Sequence, residues 1–217
     1  MNSKMKYIII IGGGDFSKKI IKLLSKINIY RIVGYTDNSD KDDLFGVKYL
    51  GGDKELPILF QKYKDCNAVL GIGANDKFID KRNNKFDEVT KIGYKTPALI
   101  SPFTTIDDSA QIGEGTVIFD GSYIDFGVNI GKNSIVNINT TICHDCYIGN
   151  NVILSPRTIV AGGCFIEDNC FLGTNSTLNP HLSIKSGCII GSGAIVTKNL
   201  IQSGIYIGNP AKKKNSE

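Results

Sequence analysis

A six-residue period runs without interruption through the second half of the chain and restricts its fold more than any other feature. Every sixth residue from Ile106 to Val196, sixteen positions in all, is Ile, Val or Leu. The residues four places further on, from Ala110 to Leu200, are mostly small. This alternation of aliphatic and small inward residues is typical of a parallel β-helix, in which each hexapeptide forms one side of a triangular prism. Three hexapeptides make one coil, so we expect about five coils with the aliphatic side chains stacked inside.

Glycine directly follows several of the aliphatic residues of this repeat. We expect these glycines to accept backbone angles at the corners of the prism that a side chain would resist. They are Gly113, Gly131, Gly149, Gly173 and Gly191.

Most of the six cysteines are explained by the same repeat. Cys146, Cys164, Cys170 and Cys188 fall in the column of small inward residues, where free cysteine packs as a small hydrophobic residue. We therefore expect buried, reduced thiols rather than disulfides. A zinc site needs about four converging ligands, and the pair Cys143 and Cys146 does not supply them, so no metal site is predicted. The repeat gives no role to Cys143.

The first half of the chain alternates strand and helix patterns. Apolar runs predict buried parallel strands at 7–11, 31–35 and 68–72, and helical spacing predicts helices at 18–24 and 76–91. About 95 residues are too few for a dinucleotide-binding domain with two mononucleotide halves. The pattern therefore favours a small Rossmann-like α/β domain that binds a single nucleotide group, and it disfavours NAD.

A glycine turn joins the first predicted strand to the first predicted helix. The run Gly12-Gly13-Gly14 would bring backbone N–H groups and a helix N-terminus close to a phosphate. The dinucleotide fingerprint is incomplete, because Ser17 stands at its third glycine. Asp37 follows the second strand, where a carboxylate often binds a ribose or a base edge, but an aspartate there is equally a turn residue. The pattern alone leaves both interpretations of Asp37 open.

Two prolines mark the junction between the halves. Pro97 and Pro102 stop helices and prepare the first coil. We therefore expect a Rossmann-like nucleotide-binding domain over residues 1–100 and a β-helix domain over residues 101–217.

Charge and hydropathy exclude several classes of protein. The net charge of +4 is modest, and the lysines of the first half are spread out rather than gathered into the basic stripe that a nucleic-acid binder needs. No apolar run approaches the ~18 residues that suggest a membrane span. The apolar stretch near the start runs into glycines rather than a cleavage site, so no secretory signal is predicted. We expect a cytoplasmic protein.

The combination of a short α/β nucleotide unit with an unbroken hexapeptide helix resembles the bacterial nucleotide-sugar acetyltransferases that modify amino sugars, including those of the bacillosamine pathway. The stretches that carry the resemblance are IIIIGGGDFSKKI, CHDCYIG, NCFLGTNSTLNP and GIYIGNPAKKK. The resemblance covers nearly the whole chain. It implies a left-handed β-helix, a homotrimer, and acetyl-CoA as co-substrate without a metal. It also implies acetylation of the 4-amino group of a nucleotide-linked amino-deoxy sugar, for surface glycan biosynthesis.

Several residues match positions that carry function in that family. A histidine followed by an acid and a cysteine acts there as general base, and His144 with Asp145 matches it. An asparagine seven residues earlier matches Asn137, which the resemblance assigns to substrate binding, and the backbone N–H of Gly162 is expected to hold the thioester oxygen. The residues that the resemblance assigns to the nucleotide are Gly12, Gly14 and Asp37.

The repeat itself predicts that His144 faces outward, because it lies two residues after the inward-facing Ile142. A lone outward histidine is more often an ordinary surface residue than a catalytic one. However, an acid follows it directly, and imidazole titrates in the range needed to accept a proton from an attacking amine. Asp145 would fix the tautomer of the ring. His181, the second histidine, is expected to be structural or an ordinary surface residue.

Three other functions are known for, or compatible with, a β-helix of this kind. A β-helix carbonic anhydrase needs three zinc-binding imidazoles, and the chain has two histidines, so we reject that class. An O-acetyltransferase acting on a sialic-acid-type sugar and a non-enzymatic trimeric scaffold both stay open. The base and the sugar are not fixed, because Thr36 stands where relatives often have a second acid and Ile153 where the bacillosamine enzyme has a second histidine.

Overall fold

The computed structural model describes residues 5–39, 44–73 and 79–214. The chain divides into two compact units, Met1–Leu99 and Ile100–Glu217. Within the described residues, no helix is long and apolar enough to cross a membrane.

The first unit is a three-stranded parallel sheet with helices on its faces. The strand order is β2-β1-β3. Its elements are β1 Lys6–Ile11, α1 Asp15–Ile27, β2 Tyr30–Thr36, a 3₁₀ helix Asp53–Glu55, α2 Leu56–Lys62, β3 Asn67–Leu70 and α3 Ile79–Ile92. The isoleucines of β1 are completely buried because the strand lies in the middle of the sheet and both of its faces are covered. The carboxyl ends of the strands, where a nucleotide is expected to bind, therefore rest on a fixed core.

The sequence predicted most of these elements with somewhat different bounds and omitted two of them. The three strands and the first helix are present, and α1 extends the predicted 18–24 by three residues at each end. The start of the predicted helix 76–91 lies outside the described residues, and α3 begins at Ile79. The 3₁₀ helix and α2 were not predicted. Leu56 and Leu59 of α2 are nevertheless buried in the core of this unit, so the short helix helps to cover one face of the sheet.

The second unit is a left-handed parallel β-helix of three sheets. Its strands are β4 Leu99–Ile100, β5 Thr105–Ile106, β6 Gln111–Ile112, β7 Val117–Ile118, β8 Tyr123–Ile124, β9 Asn129–Ile130, β10 Ile135–Val136, β11 Thr141–Ile142, β12 Tyr147–Ile148, β13 Ile153–Leu154, β14 Ile159–Val160, β15 Phe165–Ile166, β16 Phe171–Leu172, β17 Thr177–Leu178, β18 Ser183–Ile184, β19 Cys188–Ile190, β20 Ile195–Val196, β21 Gly204–Ile207 and β22 Lys212–Lys213. Each strand pairs in register with the strand one coil away, as Thr141 does with Tyr123 and Ile159. β22 closes the last sheet in the antiparallel direction.

The predicted inward columns are confirmed. The aliphatic residues from Ile118 to Val196 are buried, and Ile106 and Ile112 of the first coil are half-buried. The helix has about six turns rather than the predicted five or so, because Ile100 extends the repeat by one step before Ile106 and β21 continues the first sheet after the repeat ends. The four cysteines of the small column are buried, and all six cysteines are free, as predicted.

The role predicted for the corner glycines was wrong. The left-handed backbone angles fall three residues after the aliphatic position, as at Asn133 (φ 54°) and Asn151 (φ 58°), where asparagine tolerates them. Glycines such as Gly131 and Gly149 are required for another reason. A Cβ on Gly131 would lie 2.7 Å from the carbonyl carbon of Gly149, so these glycines let successive coils approach closely.

Candidate active site

His144 lies at a corner of the β-helix, just after β11. Ile142 points into the prism and His144 points out, with its side chain 46% exposed, which confirms the predicted orientation. The imidazole stacks on the ring of Phe126 from the preceding coil, with centroids 5.3 Å apart and planes 12° from parallel. The position of the ring is therefore set by an aromatic neighbour that the sequence did not single out.

The next coil covers the opposite side of the imidazole. A Cβ placed on Gly162 would lie 2.5 Å from Nε2 of His144, which is closer than real contacts allow. Only a glycine leaves room for the ring at this position. His144 is thus held between Phe126 and Gly162, each one coil away.

Asp145 orients the ring from its own corner. Its Oδ2 lies 3.0 Å from Nδ1 of His144. A carboxylate at this distance favours a proton on Nδ1, which leaves the lone pair of Nε2 free to accept a proton. Asp145 has a left-handed backbone (φ 55°), a conformation that aspartate adopts more readily than most residues. An aspartate at this position therefore meets two requirements, a left-handed backbone at the corner and a carboxylate beside the imidazole.

Gly162 also offers a backbone donor. Within the described ranges, its N–H makes no hydrogen bond, while its carbonyl accepts the N–H of His181 at 2.9 Å. The next residue, Gly163, donates its N–H to the carbonyl of His144 at 2.9 Å. The structure therefore brings together three of the predicted residues: His144, Asp145 and Gly162.

The remaining residues of the CHDC stretch are accounted for by packing. Cys146 is 1% exposed and donates its thiol hydrogen to the carbonyl of Ala161 at 3.2 Å. Contact with Cys164 and burial raise the pKa of the Cys146 thiol above its ordinary value, so it keeps its proton. Cys143 is half-buried, and burial raises the pKa of its thiol, with nearby Asp125 adding to the shift. Neither thiol has the lowered pKa of a nucleophile.

Two predictions concern residues close to His144. His181 is exposed at a corner, with φ 60°, as predicted for a surface residue. Asn137 is 9% exposed and its side-chain N–H donates to the carbonyl of Leu154 at 3.2 Å. It lies at the corner before the one that carries His144, and within the described residues no hydrogen bond joins the two side chains. The structure thus shows Asn137 as part of the wall of the prism.

The glycine turn of the first unit adopts the expected strand–turn–helix form. Gly12 has φ 108° and donates its N–H to the carbonyl of Thr36 at 2.7 Å. Gly14 is the N-cap of α1, and no atom of the described residues would lie within 4 Å of a Cβ placed on it. As far as the described residues show, the N-terminus of α1 is open on the side of Gly14, as a site for an anion requires.

Asp37 ties this turn to the second strand. Its Oδ2 accepts the N–H of Gly13 at 2.6 Å, and its Oδ1 accepts the backbone N–H and the hydroxyl of Ser39 at 2.9 and 2.7 Å. Both oxygens thus bind protein donors in a turn, the second of the two interpretations left open by the sequence. Ser17, at the third glycine position, is buried and donates to the carbonyls of Gly12 and Gly71.

A buried arginine beside the turn was missed by sequence reasoning. Arg82 of α3 is 1% exposed and donates to the carbonyls of Leu70 and Ile72 at 3.3 and 2.7 Å. Burial lowers the pKa of its guanidinium to about 9. Arg82 lies in an ordinary charged helix. Nothing in the surrounding sequence distinguishes it from a solvent-exposed arginine.

No group of His, Cys, Asp and Glu in the described part of the chain is arranged to hold a metal ion. What the second unit offers is an oriented imidazole beside an unpaired amide, and what the first unit offers is an open helix N-terminus. An imidazole of this kind can accept a proton, and an amide N–H can donate a hydrogen bond to a developing oxyanion.

Comparison with known families gives the class of protein. Residues 7–92 match the PglD N-terminal domain. Residues 163–198 match the bacterial transferase hexapeptide (six repeats), and residues 123–156 match the hexapeptide repeat of succinyl-transferase. With the fold, these matches show that the chain is similar to the hexapeptide-repeat transferases. They confirm the resemblance to sugar acetyltransferases described above.

Several solved structures are similar to nearly the whole of this chain. PerB from Caulobacter crescentus, in complex with CoA and GDP-perosamine, is 29% identical, with 97% of this chain and 98% of that chain covered and a TM-score of 0.88. WeeI from Acinetobacter baumannii is 25% identical, with 96% and 100% covered and a TM-score of 0.84. The acetyltransferase domain of PglB from Neisseria gonorrhoeae, at 24% identity, 96% and 100% coverage and a TM-score of 0.87, shares the fold. A search of the curated proteins found no significant match.

Proposed function

We propose that the chain transfers the acetyl group of acetyl-CoA to the 4-amino group of a nucleotide-linked amino-deoxy sugar, with His144 as general base. The observation that carries the proposal is the position of the His144 imidazole, oriented by Asp145 at 3.0 Å and covered by Gly162. The PglD N-terminal domain and the complex of PerB with CoA and GDP-perosamine support the substrate class.

The chemistry needs one proton acceptor and one oxyanion donor. The amine nitrogen of the sugar attacks the carbonyl carbon of the thioester, which forms the C–N bond and puts negative charge on the carbonyl oxygen. The Gly162 N–H donates to that oxygen, and Nε2 of His144 accepts the proton that the amine loses. Collapse of the intermediate breaks the C–S bond, and the imidazolium returns its proton to the sulfur of CoA. The products are the acetamido sugar and free CoA.

Asp145 and Phe126 prepare the imidazole for this proton transfer. The carboxylate holds the proton of the neutral ring on Nδ1 and stabilises the imidazolium that forms when Nε2 is protonated. Phe126, stacked at 5.3 Å, prevents the ring from turning away from Gly162. The site needs no metal for this step, because an amide and an imidazole supply both functions.

Gly12 and Gly14 are proposed to bind the diphosphate of the sugar nucleotide at the N-terminus of α1. The turn geometry and the open space beside Gly14 support this assignment. Asp37 is proposed to take part in nucleotide binding by holding Gly13 through its Oδ2, which fixes the shape of the glycine turn. Asn137 is proposed to shape the wall near the acceptor sugar through its bond to Leu154 rather than by direct catalysis.

A homotrimer is proposed as the working assembly, with acetyl-CoA between neighbouring prisms. Exposed aromatic side chains on one side of the helix support an interface between copies. Tyr147 and Phe165 stack with centroids 4.6 Å apart, and both are exposed. The mass in solution, measured by light scattering, tests this assembly.

The test of the proposed function is a substrate panel. The purified chain is incubated with acetyl-CoA and with UDP-, dTDP- and GDP-linked 4-amino sugars, and release of the CoA thiol is followed. A matched set of 4-hydroxy sugars serves as control. Transfer to 4-amino sugars alone is expected, and transfer to sialic-acid-type sugars instead would identify an O-acetyltransferase. Failure to bind acetyl-CoA in calorimetry would favour a scaffold and contradict the proposal.

A further inference from the structure

Cys146 lies behind the amide that faces His144. Its thiol, inside the prism, donates to the carbonyl of Ala161 at 3.2 Å. That carbonyl belongs to the same peptide unit as the N–H of Gly162. Because this peptide is trans, its C=O and N–H groups point in opposite directions. A donor that draws the carbonyl inward therefore turns the Gly162 N–H outward, towards the side where the imidazole lies.

The carbonyl of Ala161 has one hydrogen-bond donor among the described residues, the thiol of Cys146. At several other corners a backbone N–H three residues further on also donates to the corresponding carbonyl, as Thr140 does to Asn137 at 3.3 Å and Ser176 to Gly173 at 3.1 Å. The backbone on either side of the Ala161–Gly162 peptide is held by the bonds from Ala161 N–H to Leu178 and from His181 N–H to Gly162. The Cys146 thiol is thus the side chain that acts directly on this peptide.

We propose that Cys146 is a positioning residue of the transferase, whose thiol aligns the Gly162 N–H with the oxygen of the reacting thioester. The inference rests on the proposed function, since it gives Gly162 the role of oxyanion donor. It extends that function to a buried residue that touches neither substrate. It also explains why a hydrogen-bonding small residue, rather than alanine, suits this inward position.

The chain contains a matched control one coil further on. Cys164 is in the same column, is also 1% exposed, and donates its thiol hydrogen to the carbonyl of Asn179, again at 3.2 Å. The residue after Asn179 is Pro180, which has no N–H. Removing the Cys164 thiol therefore costs the same kind of hydrogen bond, and no amide donor follows its acceptor. It also removes the contact of Cys164 with the Cys146 thiol, but it leaves the bond from Cys146 to Ala161 in place.

A conservative variant of Cys146 is also available. Serine already occupies this column at Ser122, where its hydroxyl donates to the carbonyl of Asn137 at 2.9 Å. A hydroxyl thus fits the column and reaches the same kind of acceptor. Cys146→Ser keeps the donor and Cys146→Ala removes it.

The experiment compares Cys146→Ala, Cys146→Ser and Cys164→Ala in the full chain, with kcat, both KM values and the melting temperature measured for each. Loss of a whole oxyanion donor costs about 10²–10³ in kcat, so misalignment should cost less, about tenfold. We expect that loss of kcat in Cys146→Ala, with both KM values unchanged. In Cys146→Ser, kcat should recover to within about twofold of the wild type. In Cys164→Ala, kcat should be unchanged although the melting temperature falls by a similar amount.

Two outcomes would overturn the inference. One is an equal loss of kcat in Cys146→Ala and Cys164→Ala, which would show that the thiols act through packing alone. The other is a Cys146→Ser variant no more active than Cys146→Ala. Neither outcome touches the proposed function, which stands on turnover by the unmodified chain and on its loss in His144→Ala.

Discussion

The Nε2 atom of His144 lies 2.5 Å from the point that a side chain on Gly162 would occupy. The general base proposed for this protein and the residue proposed to hold the oxyanion are thus fitted to each other across one coil of the β-helix. Gly162 is required to lack a side chain because of its neighbour and not because of its own backbone angles, since its φ is not in the left-handed region. Because His144 and Gly162 are in such close contact, substitutions at the two positions should affect each other.

Substitution of Gly162 by alanine is expected to displace the imidazole. The added methyl group collides with the ring, and overpacking of this kind costs about 1–3 kcal/mol of unfolding free energy. The displaced ring should also lower kcat. Denaturant unfolding and steady-state CoA release measure the two effects.

The double variant His144→Ala with Gly162→Ala provides the control for that prediction. Once the ring is absent, the methyl group has nothing to collide with, so the destabilisation by Gly162→Ala should shrink to a small fraction of its value in the wild-type background. Equal destabilisation in both backgrounds would show that the methyl group disturbs the coil itself.

Asp37→Ala is expected to weaken binding of the sugar nucleotide and leave acetyl-CoA binding unchanged. The substitution removes the acceptor that holds the Gly13 N–H at 2.6 Å and frees the turn at the N-terminus of α1. Hydrogen bonds to a charged group contribute about 1.5–3 kcal/mol, so the KM for the sugar nucleotide should rise about tenfold or more. Steady-state kinetics with each substrate varied in turn measures the effect.

Asp65→Asn is the matched control for Asp37, since it changes an exposed carboxylate of the same unit. Asp65 has a left-handed backbone (φ 64°), which asparagine tolerates. Its kinetic constants should equal those of the wild type. A rise in both KM values in Asp37→Ala, rather than in one, would point to general destabilisation of the protein.

Acid is expected to weaken the β-helix in part through Glu167. The backbone N–H of Ser186 and the ammonium of Lys185 bind its carboxylate at 3.1 and 3.0 Å and lower the pKa of Glu167 in the folded chain. The folded state therefore takes up a proton less readily than the unfolded state. The stabilisation is complete above the ordinary pKa of glutamate, and it is lost as the pH falls through the lowered value.

The measurement for Glu167 is the melting temperature of the wild type and of Glu167→Gln from pH 7 down to pH 3. The wild type should be the more stable at pH 7, and the difference should disappear at the acid end. A difference that stays constant over this range would rule out the carboxylate charge as its cause.

Much of the second unit could be predicted from the sequence, because a repeat leaves its period in every coil. The period predicted the inward columns and the buried thiols, and it predicted that His144 points outward. It could not locate the left-handed corners, because Asn133 and similar residues at that position differ from coil to coil in chemistry. It could not show that Gly131 and Gly149 serve close approach, since contacts between coils join residues 18 apart and do not appear in a local pattern.

The first unit was less predictable, for physical reasons that differ from residue to residue. Leu56 and Leu59 belong to a helix of two turns, too short to leave a clear helical period. Asp37 was left between two roles, because a carboxylate after a strand suits a turn and a ligand equally well. Arg82 can be buried because a carbonyl at the end of β3 and another in the loop after it accept its N–H groups, and such tertiary contacts have no sequence signal.

The roles of Asn137 and Gly162 depended on the resemblance. The asparagine matches a family position, but its hydrogen bond to Leu154 lies within the wall of the prism, and its part in substrate binding stays a prediction. The place of Gly162 against the ring results from two coils stacked in register, and the repeat alone did not single this glycine out.

The central claim is that His144 is the general base of an acetyl transfer, and one comparison tests it most directly. The rate of CoA release by His144→Ala is measured against that of His181→Ala, which removes the other imidazole from an exposed corner. We expect kcat to fall about 10²–10⁴-fold in His144→Ala, with an unchanged melting temperature, and to stay at the wild-type value in His181→Ala. Near-normal turnover by His144→Ala would contradict the account.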